Sequence, residues 1–409
     1  MKCRHCNSKL NLTLVDLGSA PPSNAYLSEQ SLHEPEKWFP LRVLVCENCW
    51  LAQTEDFAQK HELFDADYAY FSGFSKTWLA HCEKYVDEME KRFGLNSNSH
   101  VLEVAANDGY LLQFVMAKNI PCTGIEPTAG TAAAARGKGI PVVEDFFSVK
   151  LATKLFSQDK QADLTIANNV LAHVPDINDF VKGFAIILKP QGVATFEFPH
   201  LLRLIADNQF DTIYHEHFSY LSLTAVIRIF AENGLSVFDV EEHPTHGGSL
   251  RVFAQRGDTG RYERSPKVDD LLKKETRHGM NTSEYYIGFQ AKADKVKNDF
   301  ISFLLDSKLK GEKAAAYGAA AKGNTLMNYA GIRPDLISFV VDRNPAKQGR
   351  YMPGSRIPIV TEAYMQQAKP DFVVILPWNL KEEVINQLEY IRAWGGKFVT
   401  AVPKLEVTP

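Results

Sequence analysis

His100-Val101-Leu102-Glu103-Val104-Ala105-Ala106-Asn107-Asp108-Gly109-Tyr110 is the stretch from which the fold can be read. Val101 to Ala105 form a short apolar strand, Ala106 to Gly109 a turn, and Tyr110 to Lys118 a helical pattern. Cys122-Thr123-Gly124-Ile125-Glu126 repeats the strand and ends in a carboxylate. Leu164 to Asn169, Val193 to Phe198, Leu235 to Val240 and Leu250 to Ala254 continue the series. Strands alternating with helices predict an α/β fold, a doubly wound parallel sheet with helices on both faces. Ligands of such sheets bind beyond the carboxyl ends of the strands. Glu103, Asn107, Asp108, Gly109, Glu126, Asn168 and Asn169 are therefore the candidate cofactor residues.

The turn itself carries chemistry. It has a single glycine, so it is not the G-x-G-x-x-G loop that lets a backbone approach a pyrophosphate. Glu, Asn and Asp instead suit a cationic ligand bearing hydroxyls, and S-adenosylmethionine has an ammonium, a sulfonium and two ribose hydroxyls. Glu126 stands 23 residues beyond Glu103, where a carboxylate can accept from both hydroxyls. A dinucleotide is the competing ligand.

Upstream, Cys3-x-x-Cys6 and Cys46-x-x-Cys49 form two knuckles that can close one tetrahedral four-sulfur shell around Zn²⁺. Four thiolates leave no position for a catalytic water, so the expected role is structural. Cys82 and Cys122 read as buried free thiols. Downstream, Lys267 to Leu305 is charged and helical in pattern. Ala314 to Asn324, Ile337 to Asp342 and Asp371 to Leu376 then suggest a second Rossmann-like unit. Its turn, Tyr317-Gly318-Ala319-Ala320-Ala321-Lys322-Gly323-Asn324, again lacks the glycine fingerprint, although Asp342 stands where a dinucleotide fold places its ribose-binding acid. Three domains are expected: 1–66 (zinc), 67–262 (methyl donor) and 263–409 (Rossmann-like).

The bulk properties agree with a folded protein of two or three domains. The chain has 409 residues, 45% of them hydrophobic and 23% charged, which excludes a disordered chain or a disulfide scaffold. No apolar run approaches the roughly 18 residues that span a bilayer. The N-terminus lacks a signal-peptide core, so a cytoplasmic location is expected. A formal net charge of −4 argues against nucleic acid or an anionic membrane as partner. Oligomeric state is not legible.

The densest polar cluster is Tyr214-His215-Glu216-His217. It is not H-E-x-x-H, so a helical zinc-protease site fails on spacing. In an extended chain Tyr214 and Glu216 would face away from His215 and His217; a turn would break that rule. His173 follows another sheet strand, on the side where the donor would lie. His246-Gly247-Gly248-Ser249 is either a ligand-facing loop or a tight entry to a strand. Lys322, Asn324 and a helix N-terminus could hold a diphosphate.

Taken in order, the four-cysteine head, Glu103 to Gly109, Gly124-Ile125-Glu126-Pro127, Asn168-Asn169-Val170-Leu171-Ala172-His173, Tyr214 to His217 and His246 to Arg251 resemble the nucleotide-sugar C-methyltransferases of deoxysugar biosynthesis. The resemblance spans the whole chain. It implies a small zinc-binding domain, a class I SAM-methyltransferase sheet and a C-terminal Rossmann-like domain that caps the nucleotide sugar. It also implies methylation of a ring carbon, commonly C-3, of a 4-keto sugar on a nucleoside diphosphate. Residues matching His173, Tyr214, Glu216 and His217 would line the active site, and Tyr68 or Tyr70 would lie near the ligands. A ketone acidifies the adjacent C–H, and a histidine is well matched to remove the proton. His217 is the expected base. Glu216 would orient an imidazole or bind a sugar hydroxyl, and Tyr214 and His173 would serve the oxyanion or position the sugar. His215 has no implied role. The alternative function is an NAD(P)-dependent nucleotide-sugar oxidoreductase.

Overall fold

The computed structural model describes residues 1–55, 57, 73 and 76–409. Tyr68 and Tyr70 lie outside the described residues. The chain opens with β1 (Leu12–Ala20), β2 (Phe39–Val45) and β3 (Ala52–Thr54). The middle holds β4 (Val101–Val104), β5 (Cys122–Ile125), β6 (Val142–Val143), β7 (Ala162–Asn168), β8 (Leu188–Pro199), β9 (Ser219–Tyr220), β10 (Leu235–His243) and β11 (Ser249–Arg256). The last third holds β12 (Ala314–Tyr317), β13 (Val340–Val341), β14 (Ile359–Val360), β15 (Phe372–Ile375), β16 (Lys397–Thr400) and β17 (Glu406–Thr408).

The middle sheet runs β10-β11-β8-β7-β4-β5-β6. All four residues of β4 are buried, as a central parallel strand covered on both faces requires. Its neighbours β5 and β7 run parallel to it, and β8 runs parallel to β7. The sheet departs from the all-parallel expectation at one edge. There β11 pairs antiparallel with both β8 and β10. The short link Pro244–Gly248 between β10 and β11 permits a hairpin, whereas a parallel crossover needs a dozen residues or more. Helices between the strands start on side-chain caps: Asp176 accepts from the Asp179 N–H, and Ser222 from the Ala225 N–H.

The C-terminal sheet runs β14-β13-β12-β15-β16-β17, parallel except for β17. Of the strand expected over Ile337–Asp342, only Val340 and Val341 join the ladder, paired with Ala316 and Tyr317. The expected helix over 267–305 is three helices, Pro266–His278, Ser283–Tyr286 and Phe289–Leu309. Gly279 breaks the first by taking a left-handed conformation at φ 85°.

The N-terminal sheet is β1-β2-β3-β9, so its fourth strand comes from residues 219–220. Two cores hold it in place. Val15, Leu41 and Val43 pack with Phe210, Ile213 and, from the third domain, Phe289, Phe300 and Leu326. Cys3, Cys46, Cys49 and Leu51 instead share a core with Leu171, Phe196 and Leu221 of the middle domain. The small head is thus wedged between the two larger units.

Candidate active site

The turn after β4 is built from residues in left-handed conformations: Ala105, Asn107 and Gly109 have φ of 58°, 49° and 75°. Gly109 is required by packing, because a Cβ there would stand 2.2 Å from Ile140 Cδ1. The Asn107 and Thr128 N–H groups each donate to Glu126, at 2.9 Å on Oε2 and Oε1. Lys138 pairs with Asp108 Oδ2 at 3.2 Å. Glu103 is fully buried. Burial, opposed by a hydrogen bond from Tyr110 and reinforced by the nearby charges of Glu126 and Asp108, pushes its carboxyl well above the usual range.

Among the described residues, three buried oxygens at the carboxyl ends of β4 and β7 have no hydrogen-bond partner: Asp108 Oδ1, Asn168 Oδ1 and Asn169 Oδ1. All three are amide or carboxylate oxygens and therefore acceptors. Such a set fits a cationic ligand rich in N–H and O–H donors, as S-adenosylmethionine is, and not an anionic pyrophosphate. When bound, that cofactor supplies an electrophilic methyl group on a sulfonium.

Residues 214–217 form a turn, closed by the His217 N–H on the Tyr214 carbonyl at 2.9 Å, so strand alternation does not apply. His217 is buried, with its ring 4.0 Å from the Tyr214 ring and 4.6 Å from that of His173. Its Nδ1 lies 2.9 Å from the Thr212 carbonyl, which makes Nδ1–H the donor and Nε2 the ring's acceptor. Burial, then the neighbouring His173, holds the imidazole neutral, well below the usual histidine range. Burial likewise lowers His173 to about 4, against the pull of the Glu216 backbone. Glu216 is pushed the other way: burial raises its carboxyl to about 7, opposed by Asn24. His215 turns out of the cluster, with Nε2 3.2 Å from the Phe39 and Pro40 carbonyls.

The third domain closes one side. Lys322 Nζ donates to Asn379 Oδ1 at 2.6 Å and lies 4.7 Å over the Trp378 ring. Burial lowers the Lys322 ammonium, and Asp211 holds it up. His246 has φ 54° and sits edge-on to Trp78 at 5.0 Å. Burial, with Lys322 next, takes its imidazole down to about 4. Asn324 serves a domain contact, donating to the Ser23 carbonyl at 2.6 Å. Asp342, the acid of the second Rossmann-like unit, already accepts the Ala319 and Asn344 N–H groups, each at 2.8 Å.

Three features of this region escape a reading of the sequence. Trp378 Nε1 donates to buried Asp211 at 2.7 Å, and burial raises that acid to about 6. Glu197 binds His81 at 3.0 Å and Arg251 at 2.8 Å, so Arg251 is the core of an ion cluster and not a surface residue. Burial would raise Glu197, but His81 and Arg251 outweigh it and hold the acid at about 2. Asn24 Nδ2 donates to Glu216 Oε2 at 2.6 Å. No local motif announces any of these, because each partner pair is more than fifty residues apart.

In the head, the sulfurs of Cys3, Cys6, Cys46 and Cys49 lie within 4.8 Å of one another, with Cys3–Cys49 and Cys6–Cys46 at 3.5 Å. A tetrahedral zinc with Zn–S near 2.3 Å sets sulfurs about 3.8 Å apart, so the four fit it. Gln53 Nε2 donates to Cys3 Sγ at 3.3 Å. From the first knuckle Arg4 donates to the Pro175 and Thr54 carbonyls, both at 3.0 Å. Thr54 Oγ1 in turn donates to the His217 carbonyl at 3.1 Å. The metal head is thereby tied to both histidine-bearing loops.

Three family models match successive parts of the chain. They are a "Putative zinc binding domain" over residues 3–64, a methyltransferase domain over 78–240 and a C-methyltransferase C-terminal domain over 244–403. The C-methyltransferase NovU of Streptomyces niveus is 31% identical over 407 residues, covering 99% of this chain and 96% of that protein. Solved structures that align with it include the SAM-bound magnesium protoporphyrin IX methyltransferase of Synechocystis PCC 6803, at 13% identity. That match covers 44% of this chain and 79% of that one, with a TM-score of 0.34. A SAM-dependent methyltransferase of Archaeoglobus fulgidus also aligns, at 13% identity over 43% of this chain and 94% of that one, with a TM-score of 0.35.

Proposed function

The chain belongs to the family of SAM-dependent C-methyltransferases, and from that premise we propose that it methylates C-3 of a 4-keto deoxysugar carried on a nucleoside diphosphate. In this reading residues 1–66 are the zinc head, 67–262 hold the methyl donor and 263–409 cover the sugar nucleotide. Glu103, Asp108, Asn168 and Asn169 receive the donor's amine and hydroxyl groups. Glu126 keeps a lone pair on each oxygen for the ribose. Asn107 and Gly109 shape the turn.

One observation carries the chemistry: a buried, neutral His217 whose tautomer is fixed by the Thr212 carbonyl. A ring so fixed accepts a proton at Nε2 and does not donate there. It takes the C-3 proton, and the electron pair moves onto the ketone oxygen as an enolate. The enolate's own charge raises the basicity of the adjacent imidazole, offsetting what burial takes away. Tyr214 and His173 face the same ring and serve the oxyanion or hold the sugar. Glu216 accepts from a sugar hydroxyl. Lys322 and His246 lie within electrostatic reach of the His217 ring, and with Trp378 under Lys322 they are assigned to the sugar nucleotide, as is Tyr68 or Tyr70.

The test is methyl transfer from S-adenosylmethionine to a panel of dTDP- and GDP-linked 4-keto sugars. Product mass and NMR locate the new carbon. Gain of one methyl at C-3 is expected. Reduction or oxidation of the sugar with NAD(P), and no methyl gain on any member, would refute the proposal.

A further inference from the structure

Beyond the residues that the family pattern places at the sugar, one side chain of the N-terminal domain reaches the catalytic turn. Asn24 Nδ2 meets Glu216 Oε2 at 2.6 Å, across 192 residues of sequence. Glu216 is only 2% exposed, so this donor sits where water does not compete. The loop that presents it, Pro21-Pro22-Ser23-Asn24, is narrowed by two prolines and clamped at its far side. Asn324 Nδ2 holds the Ser23 carbonyl at 2.6 Å. Tyr26 is buried; its hydroxyl donates to the Ala319 carbonyl at 2.6 Å and reaches Asn24 Oδ1 at 3.4 Å. Lys347 Nζ shares the Ala319 carbonyl at 2.7 Å and covers the Tyr26 ring at 5.1 Å. With a carboxyl oxygen against its nitrogen at 2.6 Å, the Asn24 amide is oriented by Glu216.

We propose that Asn24 is a positioning residue that fixes the Glu216 carboxyl for the sugar, so that the active site is completed by the N-terminal domain. This rests on the reading of Glu216 as a sugar contact. Asn24 holds the carboxyl twice, through its side chain and its main-chain N–H, and so fixes the plane in which a lone pair of Glu216 meets a sugar hydroxyl. The same bonds favour the ionised form of Glu216 against its burial. The other charged or titratable groups that face Glu216 are Lys347 and Tyr26 from their own loops, with the His173 ring against its main chain.

The experiment uses the full-length, zinc-loaded protein. The protonated-carboxyl infrared band that Glu216→Gln removes is titrated in wild type, Asn24→Ala and Asn24→Asp. The midpoint is expected to rise by about one pH unit in Asn24→Ala, the loss of one hydrogen bond to a charged group, and further in Asn24→Asp. Turnover should fall by about tenfold in Asn24→Ala, with affinity for S-adenosylhomocysteine unchanged. Asn24→Ser replaces Asn24→Ala should the latter not fold. An unmoved midpoint with wild-type turnover overturns the role of Asn24 alone. A shifted midpoint with full turnover in Glu216→Gln overturns the reading of Glu216 beneath it.

Discussion

Replacing Glu216 with Gln should make the protein more stable above neutral pH while making it a poorer enzyme. The acid is 2% exposed, and burial moves it from its ordinary 4.5 to about 7, even with Asn24 donating to it. Below pH 4.5 it is protonated folded and unfolded, and contributes nothing to the pH dependence. Between 4.5 and 7 the unfolded chain releases the proton and the folded chain keeps it, so stability drains away as pH rises. Above 7 the full difference, about 3 kcal/mol at 1.36 kcal/mol per pH unit, counts against the fold. Gln has the same shape, keeps an acceptor for Asn24 and carries no charge. Urea unfolding at intervals from pH 4.5 to 8.5 would measure it. The variant should match wild type near pH 4.5 and exceed it by about 3 kcal/mol at pH 8. Parallel curves across that range would refute the reasoning, because they would mean that Glu216 is not forced to ionise in a desolvated place.

Other substitutions probe separate parts of the site. His217→Ala should lower methyl transfer about a hundredfold or more while calorimetry still detects S-adenosylhomocysteine binding; wild-type turnover would remove His217 from the role of base. Cys46→Ser should lower zinc content by mass spectrometry and speed hydrogen exchange at residues 52–54 and 217–220; a zinc-loaded variant with unchanged exchange would sink the four-thiolate assignment. Trp378→Phe leaves buried Asp211 without its indole donor, a loss of about 1–3 kcal/mol that a lower urea midpoint should report; an unchanged midpoint would mean water replaces the bond.

Much of the architecture was legible because apolar runs report burial. Val101 to Val104 and Cys122 to Ile125 stand where the pattern puts them, and so do the paired knuckles, whose spacing alone brings four sulfurs together. Direction was not legible: a hydrophobic run reads the same for a parallel strand as for an antiparallel one, and so the hairpin β10–β11 was missed. The turn at 214–217 was visible as a concentration of His, Glu and Tyr, but not its shape, since a turn cancels strand periodicity. Asn24, Asp211 and Trp378 went unseen for a different reason. Each looks like an ordinary loop or core residue until folding sets it against a partner from another domain.

The two-residue strand β9 bears on how this chain can be made and cut. Both metal-binding knuckles emerge from the ribosome about 170 residues ahead of Tyr220 and can close early, but the sheet they support must wait for that residue. Until then Ala52–Thr54 is a bare ribbon edge, open to pairing with a neighbouring nascent chain. A fragment that stops at residue 66 keeps that edge permanently. Expressed alone, it should self-associate even when loaded with zinc, and supplying residues 200–222 in trans should restore a monomer.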